Sequence, residues 1–477
     1  MVFSSLIFLY GFLPLTVLIY RILPQKKVAV RGAEFSARNA FLLLMSLIFY
    51  AWGEPVYVFL MAASITLAWG FAILMEKAKT QKIKKIFMII SVIISFSFLA
   101  YFKYADFFIS NFNAATGLSV PLLKIALPVG ISFYTFQIAS YTIDVYRGDA
   151  KAKRNIIDFG TYVVLFPQLI AGPIVRYVDI AEMLENRTHS LEKAAYGIQR
   201  FCIGLGKKVL FANAFGELCS IFRASDEKTV LFYWMYAAAF MLQIYFDFSG
   251  YSDMAIGLGR IFGFTFLENF DFPYISKSIT EFWRRWHMSL GSWFRDYVYI
   301  PLGGNRVSTP RFLFNIFVVW FLTGFWHGAD WQFIVWGLFY GTLLVIEKMW
   351  LKKYLDKAPA VLRHIYVLFF TAIGFVIFNS VSMGGALEDL KGMFGLAKIP
   401  FAGTATLYYL KSYALMFVAG SLLATPVVKN MLKKIDSTKI GGKIIAFAKP
   451  LGFAAVLIMV TGYLADGSFN PFLYFRF

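Results

Sequence analysis

Two histidines stand in aromatic, largely apolar segments, WRRWHMSLGSWFRDYVYIPLGGNR (283–306) and GFWHGADW (324–331). They are His287 and His327, and the whole chain contains only four histidines. An ionisable side chain in lipid-embedded protein is energetically expensive and usually marks a functional site. A neutral imidazole can accept a proton from a hydroxyl group, so general base catalysis is the chemistry that these residues suggest.

The alternative for each histidine is a structural role, with its ring nitrogens bonded inside the core. A zinc site is not expected, because the two residues lie 40 positions apart and neither segment supplies a third ligand. The other polar residues of the apolar stretches include Asp247, Asp253 and Gln168. Each of these three is a candidate for a polar funnel, and capping or ion pairing inside a helical bundle is the alternative.

The composition indicates an integral membrane protein. Of the 477 residues, 59% are hydrophobic and only 15% are charged, whereas soluble domains are about 25% charged. The net charge of +19 is concentrated in five short loops. Cytoplasmic loops of membrane proteins carry such an excess, so these clusters predict topology rather than nucleic-acid binding. Binding of acidic lipid headgroups or an anionic cofactor is the second interpretation. The five clusters are Arg21–Arg38, Lys77–Lys85, Arg147–Arg154, Lys348–Arg363 and Lys429–Lys443.

The apolar stretches predict an all-α, polytopic membrane protein with about 11 transmembrane helices and re-entrant pieces. A crossing needs roughly 20 apolar residues, and placing all basic clusters on the inner side puts both termini outside. The segment 159–177 contains Pro167, Gly172 and Pro173, which favour a re-entrant structure over a full crossing. Residues 1–477 are expected to form a single integral-membrane domain. The candidate spans are 3–22, 39–54, 56–75, 86–104, 121–146, 229–250, 361–380, 405–428 and 447–465, with 312–346 treated separately.

The segment 274–298 predicts an amphipathic helix at the cytoplasmic face. Its apolar residues recur at helical spacing, and His287 lies on that apolar side. Glu281 and Arg285 form an i,i+4 pair on another side. The segment 312–346 is a little short for two crossings, so its turn at Gly324–Gly328 is expected within the membrane. His327 would then lie at a helix end facing a cavity, where Asp330 could orient it.

These motifs resemble the bacterial membrane-bound O-acyltransferases, in the branch of the alginate and peptidoglycan O-acetyltransferases. The resemblance rests first on WRRWHMSLGSWFRDYVYIPLGGNR and GFWHGADWQFIVWG. Further matches cover most of the chain in the expected order: PVGISFYTFQ, FPQLIAGPIVR, QIYFDFSGYSDMAIG, NFDFPY and the ending FLYFRF (472–477).

The resemblance implies an enzyme with helices around a buried funnel. It moves an acetyl group from a cytoplasmic thioester, acetyl-CoA, toward an extracytoplasmic polysaccharide. His327 matches the family's invariant histidine, the expected general base. His287 matches a second family position and would position the thioester or stabilise the oxyanion, with Ser289 or Asn305. Basic side chains that could attract the phosphates of acetyl-CoA are Arg284, Arg285, Arg295 and Arg306.

The same resemblance implies the setting of the reaction. We expect a multi-pass protein of the bacterial cytoplasmic membrane, with no permanently bound cofactor and no metal. The expected partners are the bilayer, the acyl thioester, an extracytoplasmic esterase-like acetyltransferase and the polysaccharide acceptor. Three alternatives stay open: transfer of D-alanyl or another small acyl group to teichoic acid, a transporter using Asp247, Asp253 and His327, and a scaffold without chemistry.

Overall fold

The computed structural model describes residues 1–25, 28–30, 33–170, 172–467 and 473. The described chain is almost entirely helical and forms two compact units. The first unit comprises Met1–Phe201 and Ser252–Leu267, and the second comprises Cys202–Tyr251 and Glu268–Phe477. Apart from Leu473, the ending FLYFRF lies outside the described residues.

The first unit contains nine helices that lie wholly within its described residues and one small antiparallel hairpin. Short π-helical turns at Phe8–Phe12 and Ala100–Tyr104 extend two of these helices. The elements are α1 (Leu13–Ile22), β1 (Val28–Val30), β2 (Ala33–Phe35), α2 (Ala37–Ala51), α3 (Tyr57–Lys77), α4 (Gln81–Leu99), α5 (Ala105–Thr116), α6 (Ile131–Arg147), α7 (Ile156–Val164), α8 (Phe166–Leu169) and α9 (Tyr177–Glu185).

Two helices contain residues of both units, α10 (Leu191–Gly206) and, after α11 (Asn213–Ala224) of the second unit, α12 (Val230–Ile261). The second unit continues with α13 (Ile279–Arg285), α14 (Met288–Phe294), α15 (Thr309–His327), α16 (Trp331–Ile346), α17 (Lys352–Leu355), α18 (Ala360–Asn379), α19 (Met383–Met393), α20 (Thr404–Leu423), α21 (Val427–Asp436) and α22 (Lys439–Ala465). Its π-helical turns are Lys207–Ala212, Arg295–Tyr299 and Glu347–Leu351, and a 3₁₀ turn covers Pro273–Ile275.

Within the described residues, six helices are long and apolar enough to cross a membrane, or seven if the bent pair α20 and α21 forms one span. This is fewer than the roughly 11 predicted, so that number is not confirmed. Two further apolar helices, Phe8–Ile22 and Ala37–Ala51, are shorter than a usual crossing. The span predicted at 121–146 begins only at Ile131, because Gly130 has a left-handed backbone with φ of 77°.

The segment predicted to be re-entrant is broken into short pieces. Helices α7 and α8 together cover residues 156–169 and are separated at Leu165. Every residue from Phe159 to Leu169 is buried in the first unit. Pro167 is the second residue of α8 and does not interrupt a longer helix, because its fixed φ suits the first turn. The sequence therefore located the break correctly.

Helix α12 is the longest described helix without a π-helical turn, with 32 residues or about 48 Å at 1.5 Å per residue. It is also the most buried candidate span, since 78% of its apolar window lies inside the protein. A helix surrounded by protein can carry polar side chains that lipid would not tolerate. Asp247 and Asp253 both lie on this helix.

The hairpin of α15 and α16 places His327 at the end of a rigid element. The two helices pack closely because Gly324 and Gly337 have no side chains between them. A Cβ atom at either position would overlap the backbone oxygen of Phe333 or of Trp320. Small residues allow such close approach between helices in membrane proteins.

Candidate active site

His287 lies at a strained break between two helices. The continuous helix predicted over 274–298 is wrong at this point, because α13 ends at Arg285 and α14 begins at Met288. The backbone of His287 is left-handed, with φ of 46° and ψ of 52°. Few residues other than glycine adopt this conformation, and it is found preferentially at functional sites.

A neighbouring segment of the second unit holds this break in place. The Met288 amide donates to the backbone oxygen of Asn269 over 3.0 Å. The Asn269 side-chain oxygen accepts from both the amide and the hydroxyl of Ser289, at 3.2 and 2.9 Å. Asn269 therefore caps α14 from outside the helix, satisfying amides that lack an intrahelical partner. The Ser289 hydroxyl, which was predicted to act at the thioester, donates to Asn269 in this structure.

Glu347 fixes the other end of the same segment. Its buried carboxylate accepts from the amides of Ile279 and Thr280 at 2.5 and 2.8 Å, and from the Thr280 hydroxyl at 2.6 Å. A carboxylate at the first turn is also favoured by the helix dipole. Helix α13 is thus anchored before it leads to His287.

The imidazole of His287 is enclosed by aromatic rings. Only 2% of the residue is exposed, and the ring packs edge-on against Phe248 with centroids 4.6 Å apart. Its segment is not one of the candidate membrane spans. Burial lowers the pKa of His287 to about 3, so the ring is neutral at pH 7. Its Nε2 atom has no hydrogen-bond partner among the described residues.

His327 is the last residue of α15, so it lies at a helix end as predicted. The break predicted at Gly324–Gly328 is helical up to His327, and the turn lies at Gly328–Asp330. The side chain is half-buried. Its ring contacts Trp336 and Phe378 edge-on, with centroids 5.1 and 5.2 Å away. The centroids of the His327 and His287 rings are 6.5 Å apart. The structure therefore brings together two histidines that are 40 residues apart in sequence.

His327 lines a small cavity in the second unit, with a volume of about 20 Å³. That is room for a single water molecule. His287 does not line this cavity, although it lies beside His327. The lining is largely aromatic and aliphatic, and it comprises Ile244, Asp247, Phe248, Trp286, His327, Trp336, Phe375, Phe378 and Leu473.

Asp247 is the acidic residue of this cavity lining. One carboxylate oxygen lies 2.5 Å from the Lys208 ammonium, and both side chains are 3% exposed. The other oxygen accepts from the Leu473 amide over 3.1 Å. A buried pair of this kind requires both partners, because a single buried charge is very unfavourable. Lys208 is thus a partner that the sequence did not indicate.

The remaining residues predicted for the polar funnel have partners of their own. Asp330 is exposed in the turn between α15 and α16, and its carboxylate accepts a hydrogen bond from Gln332. Asp253 and Gln168 belong to the first unit. Asp253 pairs with Arg200 at 2.7 Å, and the Gln168 amide group donates to the Tyr162 oxygen at 2.5 Å.

The basic residues predicted to meet a thioester differ in their surroundings. Arg284 and Arg306 are exposed. Arg285 forms the predicted pair with Glu281, at 3.1 Å, and a second pair with Asp271. Arg295 is 61% exposed and bonded to its neighbour Asp296.

Asn305 is also exposed, on the two-glycine turn. Gly303 and Gly304 have φ of 104° and 59°, which explains why glycine is needed there. The buried Asn315 of α15 donates to the oxygens of Leu302 and Gly304 and so fixes this turn. Asn315 had no signal in the sequence, since a single asparagine in an apolar helix has many explanations.

Comparison with known proteins shows the family of the chain. The model of the membrane-bound O-acyltransferase family matches residues 95–385, which is more than half of the chain. The chain is 39% identical over 515 residues to the probable alginate O-acetylase AlgI of Azotobacter vinelandii, covering 100% of both proteins. It is 33% identical over 429 residues to the peptidoglycan O-acetyltransferase of Helicobacter pylori, covering 83% of this chain and 80% of that protein.

A more distant relative is the teichoic acid D-alanyltransferase of Streptococcus thermophilus. It is 30% identical over 294 residues, which cover 55% of this chain and 69% of that protein. The family match includes both histidines and the helices that flank them. The chain is an acyltransferase and belongs to the membrane-bound O-acyltransferase family.

Proposed function

We propose that the protein transfers an acetyl group from cytoplasmic acetyl-CoA for O-acetylation of an extracytoplasmic polysaccharide, with His327 as the general base. The observation that carries this proposal is the placement of His327. It ends a rigid hairpin, lines an aromatic cavity and has a second, neutral histidine with its ring centroid 6.5 Å away. General bases work best when neutral imidazole is held at a fixed position beside the reacting hydroxyl.

The proposed reaction needs one proton carrier. The imidazole of His327 takes the proton of the acceptor hydroxyl, and the oxygen attacks the thioester carbonyl carbon. The tetrahedral intermediate collapses, the carbon–sulfur bond breaks, and the thiolate takes the proton back from His327. The acetyl group leaves as an ester, and no oxidant or reductant is required.

His287 is proposed to act on the carbonyl oxygen or on the position of the thioester. Its neutral ring has an Nε2 atom without a partner among the described residues, and its backbone is fixed by Asn269. A preorganised N–H donor would stabilise negative charge as it develops on the oxygen. Ser289 and Asn305 are proposed to assist there.

The donor is proposed to approach from the face that carries the basic loops. Arg284 and Arg306 are exposed and would attract its phosphates, with Arg285 and Arg295 beside their carboxylate partners. The cavity of about 20 Å³ is too small for an acetyl thioester. Donor binding must therefore displace part of the aromatic lining, and the resulting opening would be the predicted funnel.

The polymer is proposed from the relatives. Alginate and peptidoglycan O-acetylation are the functions that their names give, and an alginate-like exopolysaccharide is favoured by the alignment over both full lengths. The acceptor is the polymer itself or a hydroxyl of an extracytoplasmic esterase-like partner. D-alanyl transfer to teichoic acid is the second candidate, because the D-alanyltransferase relative also matches.

The finer topology belongs to the same proposal. About 11 spans, with shorter and broken helices counted, would place both termini outside and the basic loops inside the bacterial cytoplasmic membrane. The donor would then reach the protein only from the cytoplasm.

A vesicle experiment tests both the donor and the base. Labelled acetyl-CoA is offered to inside-out and right-side-out vesicles containing the full-length protein, the partner and the polymer. We expect transfer of label to polymer only in inside-out vesicles, and its loss in His327→Ala. His364→Gln is the matched control, because His364 is a half-buried histidine of the second unit outside the cavity.

Several outcomes would contradict the proposal. Near-normal labelling by His327→Ala would remove the base assignment. Labelling only from right-side-out vesicles would contradict the topology. Transfer of D-alanine from its carrier protein, without acetyl transfer, would favour the second candidate.

A further inference from the structure

The first unit contains a compact group of cationic and aromatic side chains, which we name the arginine cluster: Arg21, Arg38, Arg187 and His189 around Tyr20. Arg21 lies in the last turn of α1, and Arg38 in the first turn of α2. Arg187 and His189 lie in the loop between α9 and α10. The Arg38 guanidinium stacks over the Tyr20 ring at 5.0 Å, and Arg187 lies 5.9 Å from the same ring.

The hydrogen bonds of the cluster define a single pattern of donors. Arg38 Nη1 lies 3.3 Å from His189 Nδ1, and a guanidinium can only donate, so Nδ1 is the acceptor. The proton of neutral His189 is therefore on Nε2, which donates to the Tyr20 hydroxyl 2.9 Å away. Arg187 Nε also donates to this hydroxyl, and the hydroxyl donates to the oxygen of Phe262. The side chains of the cluster are thus held in fixed positions by one hydrogen-bond network.

Positive charge in this site is not balanced by a described carboxylate. None of the three arginines forms an ion pair within the described part of the chain. Asp158 acts on Arg187 from a distance, but its carboxylate is bonded to Asn39 and Lys153. Burial and the arginines lower the pKa of His189 to about 4, which agrees with a strongly positive surrounding.

The carbonyl oxygens at nearby helix ends neutralise only part of the positive charge of the arginines. The arginines donate to backbone oxygens of Ile261, Leu23 and Met183, at or near the carboxyl ends of helices. Such an end carries roughly half a negative charge, spread over several carbonyls. Each guanidinium has five N–H donors, whereas the described bonds use two on Arg38, two on Arg187 and one on Arg21. Arg21 is exposed and Arg38 half-buried, so their remaining donors can reach a ligand.

We propose that the arginine cluster binds a phosphate group, with the headgroup of an anionic phospholipid as its source. Arginine forks match the geometry of phosphate oxygens, and basic pockets between helix ends are typical sites for anionic lipid headgroups. The cluster joins the ends of α1, α2, α9 and α12, so a bound phosphate fastens these four ends together. This role is separate from acyl transfer and does not depend on it.

The test uses the full-length protein in micelles of an uncharged maltoside detergent, which contains no phosphate. Phosphatidylglycerol is titrated in one arm and inorganic phosphate in the other, and the shift of the unfolding midpoint gives the apparent Kd. We expect the phosphatidylglycerol shift to need about fivefold more lipid in Arg38→Gln, from the loss of one arginine. Arg154→Gln is the matched control, since it removes an exposed arginine of the same unit with a side chain 85% exposed.

A second variant keeps the test decisive if Arg38→Gln does not fold. Arg21→Gln loses one described hydrogen bond at the protein surface and should fold normally. Its apparent Kd should also rise, with the midpoint in detergent alone unchanged. A shift with inorganic phosphate alone would assign a soluble phosphate ligand. No shift in either arm, or an equal weakening in Arg154→Gln, would overturn the proposal.

Discussion

The two neighbouring histidines of the second unit are held in opposite ways. His287 is almost fully buried, has a strained backbone and is fixed by Asn269. His327 continues a regular helix, is half-buried and lines the cavity. The comparison teaches that proximity does not make them an equivalent pair. His327 faces the cavity and is suited to exchange protons. His287 is enclosed and is suited to provide a fixed, neutral hydrogen-bond donor.

The largest difference is expected in the rate of acyl transfer. His327→Ala should reduce the rate by about 10²–10⁴-fold, because it removes the proposed base. His287→Ala should reduce it by about 10²-fold, because a positioned donor is lost while the base remains. Both rates are measured with labelled acetyl-CoA on equal amounts of membrane protein. Equal losses in the two variants would mean that the histidines act as one unit.

The next largest effect is expected for the ion pairs of α12. Asp247→Asn removes the carboxylate from buried Lys208 and should lower the free energy of unfolding by ~3–5 kcal/mol. Asp253→Asn should cost only ~1 kcal/mol, because Arg200 is partly exposed. Unfolding is followed in denaturant titrations of purified protein. The double variant Lys208→Met with Asp247→Asn should recover most of the loss, and a fully additive loss would argue against the pair.

The smallest effect is expected in the stability of variants at His287, where the helix predicted to be continuous is broken. His287→Gly should be more stable than His287→Ala by ~1 kcal/mol, because glycine adopts the left-handed backbone without strain. In a continuous helix the order would reverse, with alanine favoured by about 1 kcal/mol. The same denaturant titration measures both. A more stable alanine variant would show that the break is not formed.

The sequence predicted the features that depend on local pattern. Apolar length and the 15% charged content indicated a helical membrane protein, and the glycines around Trp326 located the end of α15 to within a few residues. Pro167 and its neighbours located the broken segment. These properties are set by residues within one or two helical turns.

Features that depend on distant contacts were not predictable. The left-handed backbone of His287 is held by Asn269 and its neighbours, which are about 20 residues away in sequence. The pairing of Asp247 with Lys208 joins two helical segments, and periodicity does not indicate which partner an aspartate selects. The predicted number of about 11 spans is not confirmed, because apolar stretches do not reveal where a helix begins or ends.

The pH dependence of acetyl transfer in His287→Asn tests the unequal roles of the histidines most directly. His287 has a pKa of about 3, so it does not titrate between about pH 5 and 8. Activity should fall toward acidic pH as the base becomes protonated. We predict that His287→Asn keeps this acid limb at the pH of the parent protein, at a lower rate. Loss of the limb, or a shift by about one pH unit or more, would identify His287 as the titrating base and contradict the assignment of His327.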